Sequence, residues 1–196
     1  IQSLFPGPLG EEVAHIVDGV TKMSTPRDGS TRELETLRKI AMFRDPAVFI
    51  VKLADKSHNM MTLQYQARGK QWQKANEAIR AYGKLAGILN CYRWRRWIED
   101  MAFPYAEPEA FSMVKGKIDS DPRLNLNFIR YYLGELANLM EAEGIDGSVR
   151  FTVNGYWQAW DKLQRMARDR RSSLENFSAV NDIVSFRMLV RDNDER

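Results

Sequence analysis

The sequence contains a single cysteine, Cys91, and this scarcity limits the chemistry open to the chain. One thiol cannot form an internal disulfide. The absence of an internal disulfide fits a protein of the reducing cytoplasm. No run of about 18 apolar residues is present, so we expect no membrane-spanning helix. Residues Ile1–Phe5 also lack the basic lead and long apolar stretch of a secretory signal. We therefore expect a cytoplasmic protein without a membrane partner.

The sequence also has little excess charge of either sign. Its 29 lysines and arginines face 26 acids, which leaves a net charge of +3. This mild excess is compatible with a phosphate-rich ligand but does not identify one. Two clusters are more basic, Arg93–Arg96 and Arg165–Arg171, and neither shows a recognisable RNA-binding signature. A nucleic-acid role therefore has little support in the sequence.

Histidine is scarce too. The chain has only His15 and His58, and no His–Asp dipeptide occurs. A lone histidine on a helix is more often a packed residue than a metal ligand. We therefore assign neither histidine to a metal site.

What the sequence does have is helical periodicity. Of its 196 residues, 44% are hydrophobic and 28% are charged, enough for a buried core beneath a polar surface. Apolar spacing, caps and breakers predict helices at 11–23, 31–43, 46–63, 71–89, 92–103, 124–142 and 156–171. Alternation predicts a strand at 147–153. The chain is therefore predicted to be mainly α.

The segment Pro46–Leu63 is the most informative of these helices. At about 100° per residue, one broad and mostly apolar arc carries Ile50, Leu53, Ala54, Ser57, Met60 and Met61. The opposite side carries Lys52, Asp55, Asn59 and Thr62, with His58 beside them. The plain interpretation is an amphipathic helix with a solvated polar face. The alternative interpretation is a ligand-binding site that combines a cation, a carboxylate, an amide and a hydroxyl.

Within this helix, LADKSHNMMTL resembles the LADRLHNMRTL signature of the RelA/SpoT family, whose members make and hydrolyse the alarmone (p)ppGpp. A second string, VDGVTKM at 17–23, resembles the family's VDGVTKL. The resemblance implies an HD-type hydrolase in which Asp55 is the last ligand of a divalent metal, usually Mn²⁺. It also implies that Asn59 and Thr62 face the nucleotide, and we place Lys52 with them because it shares their side of the helix.

Departures from the family pattern qualify this assignment. Lys56 and Ser57 replace the family's Arg-Leu, and Met61 replaces an arginine, which removes a guanidinium near a polyphosphate. The family's His-Asp pair precedes its VDGVTKL string and has no counterpart here. Asp55 would then be one ligand of four, no catalytic residue is assigned, and the resemblance implies a fragment whose preceding hydrolase helices are missing.

The C-terminal string DIVSFRMLV, at 182–190, resembles the family's DLFAIRVIV, the first inner strand of its synthetase sheet. Before that strand the family carries GRPKxxxSIxxKM, whose Arg, Lys and Ser hold ATP phosphates. The segment here is NGYWQAWDKLQRM, in which Gly155 and Tyr156 stand at the basic pair and Asp161 at the serine. Loss of the cations removes stabilisation of transferring phosphates, so these residues alone are not expected to make (p)ppGpp.

The resemblance implies a helical HD-domain-like bundle, a connector and the beginning of a small α/β domain. Residues 1–103 would be the C-terminal part of the hydrolase domain. Residues 104–146 would be the helical connector, and 147–196 the start of the synthetase-like domain.

Three functions remain open from the sequence. The first is Mn²⁺-dependent removal of the 3′-pyrophosphate from ppGpp or pppGpp by the intact parent protein. The second is a GTP pyrophosphokinase that acts on GTP or GDP and has a regulatory hydrolase half. The third is a non-catalytic domain that binds a nucleotide or docks a partner. Contacts with a ribosome or a regulatory domain, and homo-oligomerisation, are also left open.

Overall fold

The computed structural model describes residues 7–22, 45–169, 173–174 and 176–191. The chain forms two compact units, Ile1–Pro108 and Glu109–Arg196. The helix predicted at 31–43 lies outside the described residues. The three-segment division made from the sequence stays a prediction. In the described part of the chain, no helix has the length and apolar character needed to cross a membrane.

The first unit is helical throughout its described residues. Its elements are α1 (Pro8–Lys22), α2 (Pro46–Met61), a 3-10 turn (Leu63–Tyr65), α3 (Arg68–Glu77), a π-helical turn (Ala78–Gly83), α4 (Lys84–Ile88) and α5 (Tyr92–Ala106). The predicted mainly α class is confirmed. One helix was expected at 71–89, and the structure instead inserts the π-helical turn between α3 and α4. Helix α5 continues through Pro104 to Ala106, past its predicted end at Phe103.

Helix α2 begins as its sequence predicts. The Asp45 carboxylate accepts a hydrogen bond from the Ala47 N–H (2.9 Å), and Pro46 occupies the first turn, where its missing N–H costs nothing. A second junction joins α4 to α5, where Asn90 adopts φ 57, a left-handed conformation that asparagine tolerates better than most residues. This short turn makes α3–α4 and α5 a helical hairpin, and α3 packs against α5.

The core of the first unit lies between α2 and this hairpin. Its fully buried side chains include Val48, Leu53 and Leu63 near α2, Ala75, Ala78 and Leu85 from the first arm, and Ile98, Ala102 and Phe103 from the second. Burial of each of the larger side chains stabilises the folded state by about 1.5–3 kcal/mol. The conformational entropy lost when these side chains are ordered offsets part of this gain.

The predicted rotation of α2 is wrong. Ile50 and Met61, both placed on the buried arc, are exposed, whereas Lys52 and Lys56 are buried. The buried stripe instead runs through Val48 and Phe49, the two lysines, Leu53 and Met60. Lysine can line such a stripe because its long aliphatic stem packs as an apolar group while its ammonium reaches a partner.

The second unit combines helices with a two-stranded sheet. Its elements are α6 (Pro108–Asp119), a 3-10 turn (Pro122–Leu124), α7 (Leu126–Ala142), β1 (Gly147–Val153), α8 (Tyr156–Arg168), a 3-10 turn (Phe177–Ala179) and β2 (Val184–Val190). The strands pair antiparallel, with Gly147 opposite Val190 and Val153 opposite Val184. Strand β1 has its predicted bounds, and α7 packs against it.

Arg123 joins two connecting segments of the second unit. The Arg123 guanidinium donates to both carboxylate oxygens of Asp121, at 2.9 and 2.7 Å, and to the Val180 carbonyl at 3.0 Å. These bonds hold the pKa of Asp121 below its usual range. Because the folded form lowers this pKa, the stabilisation is present above the ordinary aspartate pKa, about 3.9, and is lost as the pH falls through the lowered value.

Replacing Gly83 by alanine should destabilise the first unit. The added Cβ would lie 2.7 Å from Glu99 Oε1 and 2.9 Å from its Cγ, and Glu99 is buried. We expect a loss of about 1–3 kcal/mol in the free energy of unfolding, measured by urea denaturation followed by circular dichroism. Gly69→Ala is the matched control, because its Cβ would meet nothing within 4 Å. A Gly83→Ala protein as stable as this control would contradict the packing described.

Candidate functional site

Three predicted site residues meet at one carboxylate on α2. The Asn59 amide donates to Asp55 Oδ1 at 3.3 Å, and Lys52 Nζ lies 3.7 Å from Asp55 Oδ2. The spacings of three and four residues place these side chains on one side of the helix. The Asp55 side chain remains 53% exposed. The result is a carboxylate open to a ligand and flanked by an ammonium and an amide.

Thr62 lies at the end of the same row, directly after the last residue of α2. Its hydroxyl donates to the His58 carbonyl at 3.2 Å, within its own helix. In the described residues, no hydrogen bond joins Thr62 to Asp55. The structure therefore brings Lys52, Asp55 and Asn59 into contact and leaves Thr62 as a neighbouring hydroxyl.

Lys52 lies deeper than the sequence suggested. We expected it on the solvated face, but its side chain is buried beside the exposed Asp55. The position predicted for Lys52 is therefore corrected, while its proposed contact with a nucleotide stays a prediction.

A buried ion pair lies on the inner side of the same helix. Lys56 Nζ is 3.3 Å from Glu77 Oε2 and 4.4 Å from the centre of the Tyr82 ring. Burial lowers the pKa of Lys56, and the neighbouring Glu77 carboxylate partly offsets this effect. Sequence reasoning missed this pair. One signal was available, since Glu77 is the single acid between Asp55 and Glu99.

Two further contacts hold α2 in place. The Trp94 indole N–H donates to Ser57 Oγ at 2.5 Å, which joins α2 to α5. At the other end, His15 Nε2 lies 3.0 Å from Asp45 Oδ2, so α1 meets the beginning of α2. Asp45 precedes Asp55 by ten residues, about 15 Å along a helix. His15 therefore contributes to the start of α2 and is not a neighbour of Asp55.

The described residues do not by themselves fit a manganese site. Within the described ranges, no group of three or more His, Cys, Asp or Glu residues could hold a metal ion. Asp55 offers one carboxylate, with one oxygen bound by Asn59 and the other facing Lys52. Its role as a metal ligand stays a prediction.

The second unit gives its NGYWQAWDKLQRM segment a packing role. The Tyr156 hydroxyl donates to Asp119 Oδ1 at 2.9 Å, and its ring meets the Phe111 ring edge-on. Asp161 pairs with Arg165 at 3.1 Å. The positions at which the family holds ATP phosphates thus carry a phenol and a carboxylate that bind neighbouring side chains.

Comparison with known proteins places these features in context. A family model described as an HD domain matches residues 7–91. A probable GTP pyrophosphokinase of Mycobacterium leprae is 31% identical over 183 residues, which are 92% of this chain and 22% of the relative. A GTP pyrophosphokinase of Streptomyces coelicolor is 31% identical over 186 residues, 93% of this chain and 21% of the relative. The chain therefore spans about a fifth of the length of these relatives.

Removing only one partner of the buried ion pair should be costly. Lys56→Met leaves the Glu77 carboxylate buried without its cation, and we expect a loss of about 3–5 kcal/mol in the free energy of unfolding. The double variant Lys56→Met/Glu77→Leu replaces the pair by apolar groups and should recover most of that loss. Chemical denaturation of both variants measures the difference. A Lys56→Met protein as stable as the wild type would show that the pair does not hold α2.

Proposed function

The chain belongs to the RelA/SpoT family and carries an HD domain, and on this basis we propose that the complete protein removes the 3′-pyrophosphate from (p)ppGpp. The observation that carries the proposal is the arrangement on α2. An exposed Asp55 carboxylate lies between Lys52 and Asn59, within the residues that match the HD-domain model.

Each side chain has a proposed task suited to its chemistry. Asp55 would be one ligand of Mn²⁺, for which carboxylate oxygen is a suitable donor. The remaining ligands would come from outside the residues that the structure describes. The Asn59 amide and the Thr62 hydroxyl would bind the guanine nucleotide, and the Lys52 ammonium would lie at its phosphates.

The surroundings of Asp55 support this division of tasks. Lys56 is directed inward to Glu77, so it does not occupy the outer face where the nucleotide would lie. Met61 stands where the family has an arginine and is exposed at the end of the same helix. We therefore expect weaker phosphate binding than an arginine would provide at that position, because a thioether cannot pair with a polyphosphate.

A second activity of the complete protein is supported by the names of its relatives. Several are GTP pyrophosphokinases, so pyrophosphate transfer from ATP to GTP is the alternative proposal. Within this chain, the packing of Tyr156 and Asp161 argues against an ATP site built on α8. Incubating the complete protein with ATP and GTP separates the two proposals, since only the second predicts formation of (p)ppGpp.

Asp55→Asn should abolish hydrolysis by the complete protein. The amide keeps the shape of the side chain but loses the anionic oxygen that would bind a metal, so we expect a loss of at least about 100-fold in Mn²⁺-dependent pyrophosphate release from ppGpp. Asp146→Asn is the control, because Asp146 is an exposed carboxylate of the second unit that pairs with Arg191. Equal rates for wild type and Asp55→Asn would remove Asp55 from the site.

Asn59→Ala should raise the KM for ppGpp more than it lowers kcat. Loss of one nucleotide hydrogen bond costs about 0.5–1.5 kcal/mol, which corresponds to a rise of roughly 2- to 12-fold. Steady-state kinetics measure both constants. His58→Ala, at the adjacent exposed position, should leave them unchanged. A fall in kcat with an unchanged KM would mean that Asn59 serves the Asp55 carboxylate and not the nucleotide.

A further inference from the structure

Positive charge is concentrated in one part of the chain. Residues 56–98 contain nine lysines and arginines against one acid, Glu77, a net charge of +8, whereas the whole chain carries +3. The nine are Lys56, Arg68, Lys70, Lys74, Arg80, Lys84, Arg93, Arg95 and Arg96. This stretch includes α3, α4 and the first half of α5, which continues through Glu99 and Asp100 to Ala106. Such an asymmetry indicates an anionic partner.

The single acid of this stretch does not neutralise its surface. Glu77 is buried and pairs with Lys56. Arg95 and Arg96 pair with carboxylates of their own helix. Four exposed cations, Arg68, Lys70, Lys84 and Arg93, have no carboxylate partner among the described residues. We call residues 64–97, which carry these four side chains, the hairpin surface.

Aromatic side chains accompany these cations at the surface. Tyr65 is 79% exposed, Trp72 59% and Tyr92 56%, and Trp97 is also exposed. Large aromatic side chains usually bury most of their area. Several exposed rings on a basic element therefore indicate a surface that can bind a ligand. Tyr65 and Trp72 flank Arg68 and Lys70 in sequence, and Tyr92 is adjacent to Arg93.

Side-chain hydrogen bonds hold the turn before α3 against the beginning of α3. The Gln71 amide donates to the carbonyls of Leu63 and Gln64, both at 3.2 Å. These bonds fix the turn that carries Tyr65 against the first turns of α3. Tyr65, Arg68 and Trp72 are therefore presented by an ordered element, which reduces the entropy lost when a ligand binds.

We propose that the hairpin surface binds single-stranded nucleic acid. The four cations would pair with phosphates along the strand, and the exposed rings would stack on unpaired bases, a combination that is tolerant of sequence. Stacking requires bases that are not already stacked and paired in a duplex, which is why a single strand is the partner proposed. This activity is separate from the proposed hydrolysis at Asp55.

Fluorescence anisotropy of the complete protein with a labelled oligouridylate of about 12 nucleotides tests the proposal, since such surfaces cover roughly 4–16 nucleotides. We expect binding that weakens with salt and exceeds binding to a duplex of the same length. Arg68→Gln/Lys70→Gln should reduce the slope of log affinity against log salt by about 1.4, because each phosphate contact contributes about 0.7 for single strands.

The aromatic contribution is tested separately. Trp72→Ala/Tyr92→Ala should lower the affinity by at least tenfold, since stacking contributes about 1–3 kcal/mol per base. Tyr131→Ala, an exposed aromatic of the second unit, is the matched control and should bind as the wild type does. Absence of binding, an unchanged affinity in Trp72→Ala/Tyr92→Ala, or equal binding of the duplex would overturn the proposal. So would equally effective displacement of the oligonucleotide by polyglutamate, which would indicate a general polyanion surface.

Discussion

The buried ion pair between Lys56 and Glu77 is the constraint on which the first unit depends. Removing an ammonium and a carboxylate from water costs several kcal/mol for each ion, so the pair persists only because the charges lie 3.3 Å apart beside the Tyr82 ring. Lys56 directly follows Asp55, and adjacent residues of a helix point about 100° apart. Directing Lys56 into the core therefore turns Asp55 outward, where its carboxylate can meet a ligand.

A second ion pair in the hairpin also buries its acid, while its half-buried cation reaches the surface. Glu99 accepts a hydrogen bond from Arg95 at 2.8 Å and occupies the space that a side chain at position 83 would fill. Gly83 ends the π-helical turn, a helix irregularity that often marks a position under special constraint. The two pairs place Glu77 and Glu99 inside, and four of the hairpin's cations, Arg68, Lys70, Lys84 and Arg93, are exposed without a carboxylate partner among the described residues.

Much of the secondary structure could be predicted from local signals. Pro46 predicted where α2 begins, and Gly144, at φ +67, follows α7 as expected of a helix terminator. The rotation of α2 could not be predicted, because periodicity treats every lysine as a surface residue. Two lysines lie on its buried stripe, and only the position of Glu77, 21 residues beyond Lys56, accounts for one of them.

The sequence by itself determined the family, the mainly α class and the row of Lys52, Asp55 and Asn59, since short strings and helical spacing are local properties. Tertiary structure alone decided which charges are buried and which aromatic rings remain exposed. Helical spacing does not indicate that Tyr65, Trp72 and Tyr92 are exposed, but the structure leaves all three at the surface. The physical reason is that burial depends on which elements pack together, and residues distant in the chain determine that packing.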